Sequence, residues 1–503
     1  FYIEQIEELL LKIKIFGQHF ASLDIRQDSR VIQSVFDACL LEGTEEPKTL
    51  DGYFDLKLKS NPKSENAIEQ DTIDVFKTIQ TIQNENGEQA CHRFIISNCR
   101  GAKSVLQVYA MAEQLGVSKM ALDVTPLFET IDDLARSHHE MEQLYKTPKY
   151  MEHLKKRGGR QYIMLGFSDG TKDGGYFSAN WSIYKAKERM TEVSRANGIE
   201  VVFFDGRGGP PGRGGGNVRK YYAAQGQKIE NKEVQITIQG QTVSSRFSSI
   251  DAATYYLENL LTAGMESRLY ASKTAVKPEQ ETIMQSIADE SLAAYLALKA
   301  KPDFISFLEH RSPLKYFGKT NIGSRPSKRG KSSQLTLDDL RAIPFVGSWS
   351  TMKMNVPGFY GLGKALVKVQ QEYGKKALID LYNNNGFFES LISNSMQSLS
   401  KTRMELTRYF DKDITYSTVW NDINKENELT KEMISILLEK EPWENVLGST
   451  DSIALREDIV LPLLVIQQYA LMELEQNPAD KETFESLVIR TLYGIINAAR
   501  NSA

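Results

Sequence analysis

Cysteine is scarce in this chain of 503 residues. There are three, Cys39, Cys91 and Cys99. That is too few for a disulfide framework, and the spacing Cys91…Cys99 matches no zinc pattern, so reduced thiols in a cytoplasmic protein are expected. Long apolar runs are missing too. The longest, "IVLPLLVI" (459–466), is too short to span a bilayer and is interrupted by Pro462. Neither sign of charge is in excess. The 61 basic and 65 acidic side chains leave a net charge of −4, so no global field favours nucleic acid or an anionic membrane. The six histidines are scattered, and the pair in "SHHE" (137–140) reads as surface residues of a polar helix rather than as metal ligands. The chain starts at Phe1 in an amphipathic helical pattern, "FYIEQIEELLLKIKIFG", with no signal peptide, and reads as cut from something longer. What remains is ordinary globular composition, 41% hydrophobic and 25% charged.

From residue 1 to about 350, short β-like runs alternate with long helical ones. The strand candidates are 20–26, 93–98, 122–129, 161–168, 199–205 and 341–348. Strands this apolar are buried on both faces, and their alternation with helices argues for a parallel α/β sheet or barrel. The stretch "EVQITIQGQTVSSRF" (233–247) predicts a small hairpin, and 278–300 predicts a long helix. Beyond 350 the strands stop. Apolar residues at three- and four-residue spacing then predict a C-terminal helical bundle over 351–503.

Polar residues end the strands. Arg26 ends the first, Glu129 the third; Asp169 follows the fourth and Arg207 the fifth. In a parallel barrel, C-terminal strand ends open on one face, where active sites sit. Two carboxylates there suit Mg²⁺ or Mn²⁺. Several arginines suit a phosphate, each binding it in a bidentate fork. Taken singly, each residue has a plainer explanation. Asp24 and Asp28 could pair with Arg26, "SDGTKDGG" (168–175) could be a capped turn, and "GSRPSKRG" (323–330) a solvated basic loop. Their succession on strands in one register favours a site.

The segment "DGRGGPPGRGGG" (205–216) comes after the apolar run "IEVVFF". A flexible linker rarely follows a buried strand, and RGG-type RNA segments are longer and repeated. The third alternative is an anion-gripping loop, in which glycines expose backbone N–H groups and allow close approach.

The stretches "GFSDGTKDGG" and "GRGGPPGRGGG", with "LDIRQDS", "PLFETIDDL", "GSRPSKR" and "LRAIPF" in this order, resemble phosphoenolpyruvate carboxylase from about residue 16 to the C-terminal "ARNSA". The resemblance implies an eight-stranded α/β barrel, of which about six strands are visible here, surrounded by helices and usually assembled as a homotetramer. It implies an anaplerotic reaction of phosphoenolpyruvate with bicarbonate that gives oxaloacetate and phosphate, with Mg²⁺ or Mn²⁺. Glu129 and Asp169 match its metal ligands. Arg26, Arg325 and Arg341 match arginines around the substrate phosphate, with Arg207 beside them. Lys172 matches a lysine near the active site, and Arg213 the second arginine of the glycine loop. Lys401, Arg456 and Asn501 match ligands of an inhibitory site for aspartate or malate, which would share Arg213.

The sequence departs from that pattern. None of its histidines lies in a "TAHPTE"-like motif, which the resemblance makes the home of the catalytic histidine. The segment is therefore expected to be a C-terminal portion, inactive alone. Asp205 stands where histidine is usual, "WSTMK" (349–353) where a glutamine and an arginine are usual, and Ala503 where the chain usually ends in glycine. The competing expectations are another barrel enzyme acting on a phosphorylated substrate, such as a phosphotransferase or a phosphoenolpyruvate hydrolase, and a degenerate homologue that only binds an acidic metabolite.

Overall fold

The computed structural model describes residues 2–240, 243, 246–269, 276–320, 337, 340–439 and 450–499. The chain forms two compact units, each discontinuous in sequence. The first comprises Phe1–Leu165, Ala186–Asp205 and Glu230–Gln235; the second comprises Gly166–Lys185, Gly206–Ile229 and Ile236–Ala503.

The first unit is built on β1 (Asp24–Asp28), β2 (Arg93–Ser97), β3 (Asp123–Phe128), β4 (Arg160–Leu165) and β5 (Glu200–Asp205), to which the short β6 (Val234–Ile236) is added. The strands lie in sequential order, β1 to β6, and the pairs from β1 to β5 are parallel. A doubly wound sheet reverses its strand order at a switch point; sequential parallel order with intervening helices is compatible with part of a (β/α) barrel. The apolar runs "RFIIS" and "EVVFFD" are buried along nearly their whole length. Ile95, Leu127, Met164 and Phe204, one from each of β2 to β5, pack into a single cluster.

The strand starts are tied by charge. Arg93 donates to Asp24 at 2.6 Å, and Arg157 and His92 converge on Asp123 at 2.7 and 2.8 Å. The C-terminal ends of β1 and β3 lead into capped helices. Asp28 accepts from the backbone N–H of Arg30 to start the helix Ser29–Cys39. The Thr130 hydroxyl accepts from Asp133 N–H to start the helix Ile131–Tyr145. Such caps satisfy N–H groups that the helix itself leaves open.

In three places the structure departs from the sequence pattern. The segment 341–348, expected as a strand, is the helix Ala342–Thr351, with nearly every residue buried. A short apolar run is the same signal for a buried helix as for a buried strand, and Pro344 sits in the first turn, where it costs no hydrogen bond. The fourth strand ends at Leu165, and "FSDGTKDG" is an eight-residue helix, Phe167–Gly174, rather than a turn. The hairpin expected at 233–247 is reduced, among the described residues, to the strand β6, which is the sixth strand of the sheet in place of 341–348.

The second unit is helical. Its helices include Pro278–Lys299, Leu362–Tyr373, Lys375–Asn384, Gly386–Ser400 and Ser417–Leu438. Phe304, Phe307, Trp349, Phe410, Tyr416 and Trp420 belong to one core cluster of this unit. The periodic stretch 362–384 is broken in two at Gly374, whose φ of 85° ends the first helix. Glu426, 1% exposed, accepts from the backbone N–H groups of Gly361 and Gly363 at 3.0 and 2.9 Å, and so caps the helix Leu362–Tyr373 from a neighbouring helix. Among the described residues no helix is long and apolar enough to cross a membrane.

Candidate active site

In the first unit, three of the residues singled out by sequence lie on the strands or at their C-terminal ends. Arg26, expected to end the first strand, instead stands in the middle of β1 beside Ile95 of β2, with its guanidinium carbon 5.9 Å from the centre of the Phe204 ring. Glu129 comes directly after β3 and is buried. Asp205 is the last residue of β5 and is wholly buried. Asp24 and Asp28 are taken up by Arg93 and Arg30 respectively. Asp205 meets a partner that sequence did not suggest. Its carboxylate lies 2.8 Å from Nζ of Lys187, and both side chains are almost inaccessible. Lys187 had one legible signal. It falls on the buried stripe of the helix Tyr176–Ala196, between Ile183 and Met190, where a charge needs a partner.

In the second unit, Asp169 sits in the first turn of the helix Phe167–Gly174, and Lys172 in its last. Lys172 donates to the carbonyl oxygens of Leu337 and Leu340, at 3.0 and 2.9 Å, and so grips the backbone just before Arg341. Arg341 is the N-cap residue of the next helix.

The glycine-rich loop is folded on itself. Gly208 N–H donates to Arg213 O, Gly215 N–H to Pro210 O and Gly216 N–H to Gly209 O. Two of its glycines have a specific reason. Gly214 has φ 73°, and a Cβ there would lie 2.3 Å from Cβ of Phe167; at Gly215 a Cβ would meet Gly209 O at 2.0 Å. No L side chain fits either place. Arg207 braces the same turn from inside, donating to the carbonyl oxygens of Gly214 and Gly215 at 3.0 and 3.3 Å. Arg213 is 2% exposed and donates to Gln239, and its backbone carbonyl accepts from Ser168 Oγ at 3.0 Å. Burial pushes the Arg213 guanidinium down to about 10, against the opposing charge of Asp169. An arginine held in so dry a place gains strongly from an anion.

A small cavity in the same unit joins Pro210, Pro211 and Gly212 of the loop to Gln397, Ser398 and Lys401. Lys401 is pushed down to about 8, first by burial and then by the positive charges of Lys353 and Arg456, with Glu457 opposing. Lys353, the last residue of "WSTMK", is buried and pairs with Glu457 at 2.6 Å. Lys353 and Ser168 lie inside stretches quoted from the sequence, "WSTMK" and "GFSDGTKDGG", but neither residue type by itself pointed to a role. Arg325 and Asn501 lie outside the described residues.

Among the described residues no group of three or more His, Cys, Asp or Glu side chains gathers as a metal cluster. The candidate donors are the carboxylates of Glu129 and Asp169, hard oxygen ligands. Glu129 lies in the first unit and Asp169 in the second, and each is of the ligand type that Mg²⁺ or Mn²⁺ takes.

The sequence pattern described as phosphoenolpyruvate carboxylase matches residues 2–502. Similar proteins include two phosphoenolpyruvate carboxylases of Prochlorococcus marinus. That of strain MIT 9301 is 31% identical over 519 residues, covering 96% of this chain and 52% of its own length. That of strain MIT 9515 is 30% identical over 555 residues, covering 99% of this chain and 56% of its own. The chain therefore spans about half the length of the curated relatives it matches.

Proposed function

The chain belongs to the phosphoenolpyruvate carboxylase family, and from that premise we propose that it carries part of the site at which phosphoenolpyruvate and bicarbonate become oxaloacetate and phosphate, an anaplerotic reaction in the cytoplasm. The observation that carries this reading is Arg213, a guanidinium buried in a loop of close-packed glycines with the carboxylate of Asp169 bearing on it.

In the proposed chemistry a bicarbonate oxygen attacks phosphorus, and the bond from phosphorus to the enol oxygen breaks. Carboxyphosphate and the enolate of pyruvate result. Carbon dioxide released from carboxyphosphate, with phosphate leaving, then joins the enolate carbon. Arg26, Arg207, Arg325 and Arg341 are the proposed partners of the substrate phosphate, and Arg213 of the transferring group, where fixed positive charge matches charge that develops. Lys172 serves by holding the backbone that leads to Arg341. Mg²⁺ or Mn²⁺, with Glu129 and Asp169 as its carboxylates, would supply Lewis-acid stabilisation of the enolate oxygen. The loop keeps water from protonating that enolate. Aspartate or malate is the proposed inhibitor, held by Lys401, Arg456 and Asn501 with Arg213, in a homotetramer.

The test is oxaloacetate formation by the full-length protein that contains this segment. Oxaloacetate that appears only with phosphoenolpyruvate, bicarbonate and Mg²⁺ or Mn²⁺ together supports the reading. Pyruvate as the sole product, whatever the bicarbonate, would overturn it in favour of a phosphatase.

A further inference from the structure

Lys187 and Asp205 form an ion pair of 2.8 Å with side-chain exposures of 1% and 0%. The ammonium also lies 5.3 Å from the centre of the Phe203 ring. Stability alone does not explain two charges in such a place. A well-packed apolar pair of similar volume is often as stable as a buried ion pair, because it avoids desolvating two charges. What the pair adds is direction, since a charge-assisted hydrogen bond holds one geometry where apolar contacts hold several.

The pair sits at the root of the glycine-rich loop. Asp205 is the last residue of β5, and Gly206, Gly208 and Gly209 come next with no Cβ to restrain the backbone. Arg207, between them, is stacked 4.0 Å from the Tyr221 ring centre and bonded to loop carbonyls. The loop thus has a fixed residue on its own backbone and a fixed residue at its root. We propose that Lys187 is a positioning residue: through its ion pair with Asp205 it fixes the backbone from which the glycine-rich loop departs, and so the setting of Arg207 and Arg213. Its consequence for turnover rests on the carboxylation reading above; its consequence for the loop does not.

The experiment uses the full-length protein and two variants, Asp205→Asn and the apolar pair Lys187→Met/Asp205→Leu. Amide hydrogen exchange is read at Gly208 and Gly214 to Gly216, with the amides of β2 to β4 as an internal standard. Positioning predicts that the apolar pair keeps the parental exchange in β2 to β4 but raises exchange in the loop by about tenfold or more. Asp205→Asn, which can still accept from Lys187, should fall between the two. Loop protection equal to the parent in both variants overturns the proposal. So does loop exchange that rises only in step with the strands, since the pair would then serve the fold alone. If the apolar pair fails to fold, Asp205→Asn decides by the same comparison.

A second readout is the share of consumed phosphoenolpyruvate that ends as pyruvate instead of oxaloacetate. A loosened loop admits water, so this share should rise at least severalfold in the apolar pair while the KM for phosphoenolpyruvate changes less than kcat. A parent that forms no oxaloacetate would sink the carboxylation reading, and the exchange data would still decide the role of Lys187. An altered loop with an unaltered product share would overturn the link to turnover.

Discussion

The guanidinium carbon of Arg207 lies 4.0 Å from the centre of the Tyr221 ring, while its nitrogens reach back to the carbonyls of Gly214 and Gly215. One planar cation therefore joins the two ends of the glycine-rich loop to an aromatic wall. Lysine cannot replace it, because an ammonium neither stacks nor bonds two carbonyls in a fixed fork. Arg207→Lys is expected to lower stability by about 2–3 kcal/mol, the sum of a desolvated stack and charge-assisted hydrogen bonds. Denaturant unfolding of the variant checks this, and parental stability would show that the brace carries no weight.

At the starts of the strands, Asp123 is held by Arg157 and His92. Burial alone would raise its carboxyl, but the hydrogen bonds and charges of His92 and Arg157 outweigh burial and bring it to about 2. A depressed carboxyl adds stability above its unfolded value, about 3.9, and that gain is lost as pH falls toward 2. Asp123→Asn should therefore destabilise the protein at pH 7 by about 2–3 kcal/mol and have progressively less effect as pH drops below 4. Because this end of the strands bears on stability rather than chemistry in parallel barrels, kcat at 25 °C should stay within about twofold of the parent. A variant with intact stability but lost turnover would reverse that assignment.

The strands that became β2 to β5 were legible because their β-branched and aromatic runs alternate with helices, whereas β1, "DIRQD", shares only residues 24–26 with the run expected at 20–26 and is half-buried throughout rather than buried on both faces. The run at 341–348 misled because "AIPFVGS" is apolar on every side, and a wholly buried helix has no polar face to betray its period. The residues proposed for the site stood out as polar types on or after the apolar runs and by resemblance. Their bonds did not. Asp205 shortly before the loop arginines Arg207 and Arg213 suggests an arginine partner, yet Lys187 lies eighteen residues back on a helix and reaches it through the fold. Likewise nothing in "SDGTKD" says that Lys172 grips carbonyls at 337 and 340.

Glu426 caps the helix Leu362–Tyr373 with a buried carboxylate. Burial raises its carboxyl above the ordinary range, and the N–H groups of Lys364, Gly363 and Gly361 offset this only in part. A raised carboxyl binds its proton more tightly in the folded state, so its contribution is full at low pH and falls as pH rises through the folded value. Glu426→Gln keeps an acceptor oxygen for the cap and removes the titration. It should leave stability at pH 7 within about 1 kcal/mol of the parent and remove the loss of stability that the parent shows as pH rises above the ordinary carboxyl range. Glu426→Ala should instead cost about 2–4 kcal/mol, since it strands buried N–H groups and opens a cavity. Equal losses for both variants would refute the cap.

Lys401 shares its surroundings with Lys353, Arg456 and Glu457, and the Glu457 carboxylate is already engaged by Lys353 at 2.6 Å. Positive charge is in excess there, and it borders the cavity that reaches Gly212, the residue before Arg213. Burial, then the two cations, bring Lys401 to about 8. This lowered value acts on folding and on binding with opposite signs. For folding, the native chain releases this proton near pH 8 and the unfolded chain near 10.4, so Lys401 makes stability rise with pH across that window. For binding, an aspartate or malate carboxylate favours the protonated amine. Inhibitor affinity should be full below pH 8 and should weaken above it, by about tenfold between pH 7 and pH 9. Lys401→Arg keeps the charge across that range and should hold affinity nearly constant with pH. Titration calorimetry of each dicarboxylate with the full-length protein at the two pH values separates the cases. An affinity that falls equally in the parent and in Lys401→Arg would mean that the titrating group is not Lys401.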